Sequence, residues 1–532
     1  MSSAVKQPCD EGVIKCAPEI KLPEIKNGTW VLAATIIGSS ITFIDGTVVN
    51  VALPIMQEKL NASVTEVQWV VESYALMLSA LILVGGALGD KYGRKLIYSI
   101  GVIIFALSSL WCGLVSSPTP LIIARAVQGI GAALLVPGSL AIISATFPKK
   151  DRGKAIGTWS GFTAIAAGFG PVLGGWLIEN ISWRWIFFIN LPLAVIVLLI
   201  TWRHVPESRN ENAKKGLDWL GVLLATLGLG GLVYGLTESS TLGFSHPLVL
   251  GSMIGGAVAL AGFIVAEVRE KNPMMPLELF KSSSFKGANL LTLFLYAALG
   301  GILFFLPFNL IQIQGYGPTA AGAALIPFVL TMFLLSRWAG SLIDKFGAKL
   351  PLIIGPIVTG IGFVLFTIPG VGSSYWTTFF PAIMVMSFGM TVSVAPLTTT
   401  VMGSVDEHYA GVASGINNAV SRTAGLLAIA VFGIAMLVSF NYSLQAQLAS
   451  TELSAEVKNN LEQQKTRFTS IDTSALAPEA REQAAGVVKS SFVSGFRIVA
   501  LLSAGLAFAA ALCSLIFIEG KLKPSPVRSK SG

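Results

Sequence analysis

The chain has 532 residues, of which 53% are hydrophobic and only 12% are charged, whereas soluble domains carry about 25% charged residues. This composition argues against a set of ordinary soluble domains and favours a protein that lies in a membrane. The formal net charge of +8 is compatible with nucleic-acid binding, so the positions of the basic residues decide what the charge means.

The polar N-terminal segment lacks the short apolar core of a cleaved signal peptide and is interpreted as a solvated tail. Fourteen apolar runs follow, each near the length of about 20 residues that a membrane helix needs. Membrane strands would be about half as long and would alternate in polarity, so an all-α polytopic membrane protein is predicted. The runs cover residues 29–56, 68–89, 96–115, 119–145, 155–178, 184–202, 217–236, 247–266, 287–314, 319–342, 350–369, 375–402, 409–439 and 492–518.

Loops rich in lysine and arginine alternate along the chain with loops that have few of these residues. They follow spans 2, 4, 6, 8 and 10, as at Lys91, Arg94 and Lys95, and none follows span 12. The short loops after odd-numbered spans contain only Lys59, with Arg184 at the edge of span 6. Because cytoplasmic loops are enriched in these residues, both termini are predicted to be cytoplasmic. The positive charge is then explained by topology, which argues against nucleic acid as a partner.

One long outer loop is predicted at 440–491. Its stretches LEQQKTRF and PEAREQAAGVVK have the pattern of amphipathic helices with charges of both signs. We expect a small soluble hairpin that caps the outer face, and docking of a partner is the alternative.

An internal repeat relates two parts of the chain. GALGDKYGRK at 86–95 follows span 2, and GSLIDKFGAK at 340–349 follows span 10. Transporters are commonly built from repeats, with the substrate site where the halves meet. The predicted divisions are a cytoplasmic tail at 1–27, an N-terminal six-helix bundle at 28–202, a linker with two inserted helices at 203–286, a C-terminal six-helix bundle at 287–518 that includes the outer loop, and a cytoplasmic tail at 519–532.

Several motifs resemble those of the major facilitator superfamily. GALGDKYGRK is similar to its loop motif, LIIARAVQGIGAA (121–133) to its motif with a buried arginine, and GFGPVLGG (168–175) to the motif associated with exporters. IDGTVVNVALP in span 1 and WRWIFFINLP (183–192) resemble the fourteen-span drug:proton antiporters. The resemblance implies the major facilitator fold and alternating access. The intact loop motif is more similar to stand-alone exporters than to those that work with a periplasmic adaptor.

Asp45 places a carboxylate in an apolar run, and an ionisable group inside a membrane indicates function. We expect it to pair with Arg125 of span 4 in the outer half of the cavity. Low dielectric disfavours a carboxylate and a nearby guanidinium favours it, so movement of Arg125 would switch proton binding; a static ion pair is the alternative. Glu72, near the outer end of span 2, could bind a second proton, attract a cationic substrate or lie at the aqueous interface.

Two further motifs are assigned roles by the resemblance. The loop motif would form a cytoplasmic gate, in which Gly86 and Gly89 permit close helix approach and Asp90 lies at the N-terminus of a helix of the other half; a simple topogenic loop is the alternative. The gate residues are Gly86, Asp90, Gly93, Arg94, Lys95 and Asp344. The exporter motif would bend span 5 and give it a smooth face that seals against proton leak through Gly168, Gly170, Pro171, Gly174 and Gly175.

Candidate substrate-cavity residues lie in spans that line the cavity in this superfamily. Ordinary helix packing is the alternative for each of them. The set is Tyr74, Gln128, Trp159, Asn190, Phe305, Asn309, Gln312, Met386, Asn417, Asn418 and Arg422.

The sequence lacks the G-x-x-x-x-G-K-[ST] loop of an ATP-driven pump, and its three histidines are scattered, so neither such a pump nor a histidine metal enzyme is expected. The predicted function is proton-coupled antiport that exports small amphipathic or cationic toxic compounds without a cofactor. Its partners would be a small-molecule substrate, protons and the lipid bilayer of a bacterial inner membrane; we expect a monomer, with no indication of an adaptor. A dedicated exporter of one metabolite, siderophore or lipid, an importer, and more distantly a membrane scaffold are the alternatives.

Overall fold

The computed structural model describes residues 28–209, 218–270, 273, 275–406, 409–451, 453–464 and 478–519, and these contain helices but no strand. The helices, in chain order, are α1 Gly28–Lys59, α2 Val64–Tyr92, α3 Arg94–Leu114, α4 Pro118–Thr146, α5 Lys149–Asn180, α6 Trp185–His204, α7 Trp219–Leu242, α8 Pro247–Arg269, α9 Ser283–Ile313, α10 Pro318–Ala323 and Ile326–Phe346, α11 Lys349–Leu365, α12 Tyr375–Gly403, α13 Ala410–Ser450, α14 Ala455–Gln463 and α15 Pro478–Phe517.

Within the described chain, thirteen helices are long and apolar enough to cross a membrane, and α11 is a shorter apolar helix at the eleventh predicted span. Each predicted span coincides with one of these helices, so the all-α polytopic prediction is confirmed. Helices satisfy their own backbone hydrogen bonds, which a bilayer core demands. Local signals fix some ends: α2 begins at a capping box in which Ser63 and Glu66 bond to each other's backbone N–H groups.

The predicted loop at 440–491 is wrong for most of its described part. α13 continues to Ser450 and α15 begins at Pro478, so PEAREQAAGVVK opens a membrane helix rather than a separate hairpin. The two helices pair beyond the apolar spans, where Gln447 donates to Ser491 Oγ at 3.1 Å and accepts from Ser490 Oγ at 2.6 Å. LEQQKTRF begins at the end of α14, and residues 465–477 lie outside the described chain.

The helices pack in two groups that meet along several helix pairs. The first group is α1–α6 and the second is α9–α13 with α15. Between the groups, α5 packs on α10, α2 on α13 and α1 on α9. The inserted helices α7 and α8 pack on each other, and α7 also contacts α2 and α13, so it lies against both groups.

The two ends of the helix assembly differ. We call the end with the loops that join α2 to α3, α4 to α5 and α10 to α11 the basic end. At the opposite end α5 meets α10 so closely that a Cβ on Gly175 would collide with the carbonyl oxygen of Pro318, and one on Gly322 with that of Pro171. Gln312 of α9 donates to the Pro54 carbonyl of α1 at 3.4 Å. The two groups are therefore closed against each other at the opposite end.

Candidate functional site

A buried ion pair joins α1 to α4. Arg125 Nη1 donates to Asp45 Oδ2 at 2.5 Å, and the side chains of Arg125 and Asp45 are 1% and 0% exposed. Arg125 Nε also donates to the Val70 carbonyl of α2 at 3.1 Å, and its guanidinium lies 4.2 Å from the ring centroid of Tyr74. The structure therefore brings the two predicted partners together in the first helix group.

Neutral polar side chains complete the bonding of this pair. Gln128 of α4 donates to Asp45 Oδ1 at 3.0 Å and accepts from Arg125 Nη1 at 2.6 Å. Asn190 of α6 donates to Asp45 Oδ1 at 3.5 Å, and Ser109 of α3 accepts from Gln128 at 2.7 Å and from Asn190 at 3.1 Å. The carboxylate thus has donors from two helices, α4 and α6.

The stability of this buried pair depends on its bonding. Desolvating two charges costs several kcal/mol, which close pairing and extra hydrogen bonds can offset. Asp45 accepts hydrogen bonds from Arg125, Gln128 and Asn190. Loss of the guanidinium would therefore leave a buried carboxylate without its cation.

A cavity in two adjoining parts lies between the helix groups, with volumes of about 370 and 300 Å³. We call both parts together the central cavity. Of the predicted cavity residues, Tyr74 lines the smaller part, Asn418 the larger and Arg422 both. Arg125 also lines the smaller part, so the ion pair borders the cavity. The residues that line both parts are Asn50, Tyr296, Leu299, Leu303, Ser421 and Arg422.

Several predicted cavity residues instead hold helices together inside one group. Gln128 and Asn190 bind Asp45, and Trp159 Nε1 donates to Ser39 Oγ at 3.1 Å. Asn417 donates to Asn289 Oδ1 at 3.1 Å and to Thr292 Oγ1 at 2.7 Å on α9. None of these is among the residues that line the central cavity. Buried polar groups must be bonded, and the nearest partners lie on neighbouring helices.

The remaining predicted cavity residues also lie outside the central cavity lining. Phe305 packs edge-on against Phe304, and Met386 is fully buried on α12. Asn309 accepts from Gln314 Nε2 at 3.1 Å near the opposite end of α9. Gln312 bridges α9 to α1 at the closed end. In this structure these residues therefore make packing contacts between helices, and their role in substrate binding stays a prediction.

Sequence reasoning missed part of the cavity wall. Thr47 and Asn50 of α1 line it, as do Tyr296 of α9 and Ser421 of α13. Thr47 and Asn50 belong to the same TVVNV stretch that follows Asp45, so the motif itself held a usable signal. Tyr296 lies in an apolar span, and apart from its residue type nothing in the sequence indicates that it lines the cavity.

Glu72 lies away from the central cavity and faces the inserted helix α7. It is fully buried, and its Oε2 accepts from Thr237 Oγ1 at 2.8 Å. Its Oε1 has no hydrogen-bond partner among the residues that the structure describes. Of the three alternatives for Glu72, the position at an aqueous interface is therefore wrong, and contact with a cationic substrate in this cavity has no geometric support. Binding of a second proton stays a prediction.

The loop motif at the basic end contacts its own helix group. Arg94 Nη2 pairs with Asp90 Oδ1 at 2.7 Å, and Lys95 Nζ donates to the Trp202 carbonyl of α6 at 3.0 Å. Glu207 accepts from the backbone N–H groups of Lys95 and Leu96 at 3.0 and 3.1 Å, at the N-terminus of α3. The expected placement of Asp90 at a helix of the other half is not found: its bond runs to Arg94, four residues later at the start of α3.

A glycine of the loop motif was expected to permit a close approach of α2 to a neighbouring helix, but a different glycine does so. The close approach of α2 to α4 occurs at Gly85, where a Cβ would collide with the Ala133 carbonyl, whereas a Cβ on Gly86 would lie an ordinary 3.6 Å from Pro137. Gly93 has φ +125° and Gly347, its counterpart in the repeat, has φ +72°, which L residues with side chains rarely adopt. The side chain of Asp344 lies outside those that the structure describes.

The exporter motif on α5 makes close contacts with both helix groups. Cβ atoms on Gly170 and Gly174 would collide with Thr47 and Val48 of α1, while those on Gly168 and Gly175 would collide with Val329 and Pro318 of α10. The glycines therefore bring α5 close to its own group on one side and to the other group on the second side. No cluster of three or more His, Cys, Asp or Glu side chains suited to a metal ion occurs in the described chain.

Comparison with known proteins gives a consistent result. The sequence model of the Major Facilitator Superfamily matches residues 35–429. The multidrug resistance protein Stp of Mycobacterium tuberculosis is 34% identical over 418 residues, which cover 78% of this chain and 77% of that protein. The tetracenomycin C resistance and export protein of Streptomyces glaucescens is 31% identical over 411 residues, which cover 76% of this chain and 75% of that protein.

A solved structure shares the fold. The crystal structure of a bacterial homolog of the human lysosomal transporter Spinster, in an inward-facing and unoccupied conformation, superposes with a TM-score of 0.64 at 18% identity. The match covers 94% of this chain and all of that one. This likeness shows the fold alone. The family match and the likeness to Stp, together with the apolar helices of the described residues, mean that the chain is a multi-pass membrane transporter, not an enzyme, and belongs to the major facilitator superfamily.

Proposed function

We propose that this protein is a proton-driven antiporter that exports small, toxic, amphipathic compounds by alternating access. The observation that carries the proposal is the buried Asp45–Arg125 pair, whose guanidinium also lines the central cavity. A proton site and a ligand space that share a side chain can influence each other. The names of relatives support export of antibiotics, since one is a tetracenomycin C resistance and export protein and another a puromycin resistance protein from Streptomyces alboniger.

In this mechanism Asp45 is the proton carrier and Arg125 controls it. While Arg125 and Gln128 bind Asp45, the carboxylate stays charged and the first helix group keeps one arrangement. Protonation removes the charge that holds Arg125, and the helices that meet at this site are then free to adopt another arrangement. The glycine contacts of α5 with α10 would open as the basic end closes. The gate residues of the loop motif would then exchange their present contacts for contacts with the second helix group.

We further propose that the basic end faces the cytoplasm of a bacterial cell, so that both termini are cytoplasmic and the cavity is closed toward the outside. This follows from the Lys and Arg clusters of its loops. The protein would act in the inner membrane as a monomer, with the proton gradient in place of a cofactor. The proposed divisions at residues 28–202, 203–286 and 287–518 follow the two helix groups and the inserted pair between them.

Proton-coupled exchange is testable in inside-out membrane vesicles with an acidified lumen. Addition of an exported antibiotic or dye should release lumenal protons, read with a fluorescent ΔpH probe. Asp45→Asn should abolish this response while the protein remains folded, because the amide cannot carry the proton. Asp151→Asn, at an exposed site in the first turn of α5, is the matched control and should respond as wild type.

The pattern of responses separates the alternatives. Responses to many unrelated compounds support a broad exporter, and a response to one compound supports a dedicated one. Full proton exchange by the Asp45→Asn protein would exclude Asp45 as the proton carrier.

A further inference from the structure

The central cavity combines apolar walls with one cationic side chain common to both of its parts. Leu299 and Leu303 of α9 line both parts, and Phe328 and Met332 of α10 line the larger one. Arg422 of α13 lines both parts. A compound in either part therefore meets an apolar surface and a guanidinium. The larger part, at about 370 Å³, is within the range of sites for drug-sized ligands.

The described residues that line the cavity include no Asp or Glu. Asp45 adjoins the lining residue Gly46, but its own side chain is fully buried and binds Arg125. Arg125, which lines the smaller part, already donates to Asp45, Gln128 and the Val70 carbonyl. Arg422 is therefore the cationic side chain that the described wall has in both parts of the cavity.

We propose that the cavity binds amphipathic compounds whose polar group is an anion or a strong hydrogen-bond acceptor, such as a carboxylate or phenolate, and that Arg422 binds this group. A guanidinium offers five N–H donors and no acceptor, and its bonds to anionic oxygens are among the stronger ones in proteins. Asn418 lies one helical turn before Arg422 and lines the larger part, so its amide can donate to the same group.

An organic cation fits this wall less well. It would leave water for a space where its charge meets another positive charge and no carboxylate of the described wall. Specificity of this kind comes from the unfavourable interaction as much as from the favourable one. The inference rests on the proposed function for the direction of transport, but the preference for one ligand class is a property of the cavity itself.

Binding of a matched ligand series to the purified full-length protein in detergent tests the inference. The probes are three naphthalene derivatives that carry a carboxylate, a carboxamide or a trimethylammonium group. Wild type should bind the carboxylate more tightly than the ammonium compound, by roughly 10-fold or more for one charge-assisted bond. Arg422→Gln should remove most of this preference, and Arg422→Lys should retain part of it. Arg497→Gln, at an exposed position of α15, should leave it unchanged.

A second variant tests the wall charge without removing Arg422. Asn50 lines both parts of the cavity, and Asn50→Asp would add a carboxylate there. It should shift the preference toward the ammonium compound by a similar factor. Tighter binding of the ammonium compound by wild type, or an unchanged preference in both Arg422→Gln and Asn50→Asp, would overturn the inference.

Transport is measured separately with the same three compounds in the vesicle assay. If the naphthalene carboxylate is bound in preference but none of the three compounds causes release of lumenal protons, the proposed antiport fails while the cavity assignment stands. If proton exchange occurs with the ammonium compound alone, the antiport stands and the cavity assignment fails.

Discussion

Asp45 and Glu72 are both fully buried carboxylates in the first helix group, on α1 and α2, yet their surroundings differ. Asp45 binds a guanidinium and two amides and adjoins the central cavity. Glu72 accepts a hydrogen bond from one hydroxyl of α7, that of Thr237. Asp45 therefore has an opposite charge within bonding distance, whereas Glu72 is bonded to a neutral group as part of the helix packing.

The contacts around Glu72 form a polar seam between α2 and α7. Trp69 Nε1 donates to Glu238 Oε1 at 2.8 Å, and Thr65 Oγ1 lies 3.1 Å from Ser240 Oγ. With the Thr237 bond, these contacts follow one face of α2 over two helical turns. The seam fixes the inserted helix to the first group. The two acids thus differ in the helix that supplies their partner: α4 supplies a cation to Asp45, and α7 supplies a hydroxyl to Glu72.

Breaking the Asp45 pair should have the largest effect. In Arg125→Gln the carboxylate is buried without its cation, which costs about 3–5 kcal/mol in the free energy of unfolding. The measurement is the free energy of unfolding in detergent. The double variant Asp45→Asn/Arg125→Gln should regain most of the stability but no proton exchange; a double variant as unstable as the single one would contradict this view of the pair.

Breaking the Glu72 contact should have a smaller effect, on stability alone. Thr237→Val keeps the side-chain shape and removes the hydroxyl donor, which should cost about 1–3 kcal/mol because a buried acceptor loses its bond. Proton exchange per folded molecule should be unchanged. Thr226→Val is the matched control, since that hydroxyl donates to the Val222 carbonyl of its own helix. Equal stability of the two variants would argue against the Thr237–Glu72 bond as a stabilising contact.

Neutralising Glu72 should have the smallest effect. Glu72→Gln retains an oxygen for the Thr237 hydroxyl, so the free energy of unfolding should change by less than about 1 kcal/mol. Proton exchange in the vesicle assay should continue, in contrast to Asp45→Asn. Loss of exchange in Glu72→Gln would place Glu72 in the coupling machinery and remove the distinction between the two acids.

The helices and the ion pair could be predicted from the sequence. The helices have a local signal, the apolar run, and charged residues within such runs are rare. Long apolar runs suffice to place membrane helices, and one Asp and one Arg in otherwise apolar spans have few possible partners. Two of the exporter glycines, Gly168 and Gly175, lie at the expected close contact with the second helix group, because only residues without a side chain permit such an approach.

The residues that line the cavity could be predicted only in part from the sequence, because they depend on how each helix is rotated about its axis. Successive residues point about 100° apart around a helix, so a small error in rotation exchanges lining residues such as Asn418 for packing residues such as Asn417. Gln128 and Asn190 were misassigned because their bonding partner, Asp45, lies on a different helix. The contact of Glu72 with α7 was not predicted, because nothing local indicates that α7 packs on α2. The helical extension of α13 was missed because its hydropathy falls while its apolar spacing continues through Leu444 and Leu448.

The unbroken continuation of α13 and α15 past their apolar spans gives the second helix group a rigid lever. Each helix has about 40 residues and a length of roughly 60 Å, about twice the hydrocarbon core. The parts past the apolar spans, 440–450 of α13 and 478–491 of α15, are roughly 16 and 21 Å long, so a tilt of about 10° moves their tips by about 3–4 Å. Any binder that clamps these tips to the first group, such as an antibody fragment raised against α14, would therefore arrest the transport cycle from outside the substrate path.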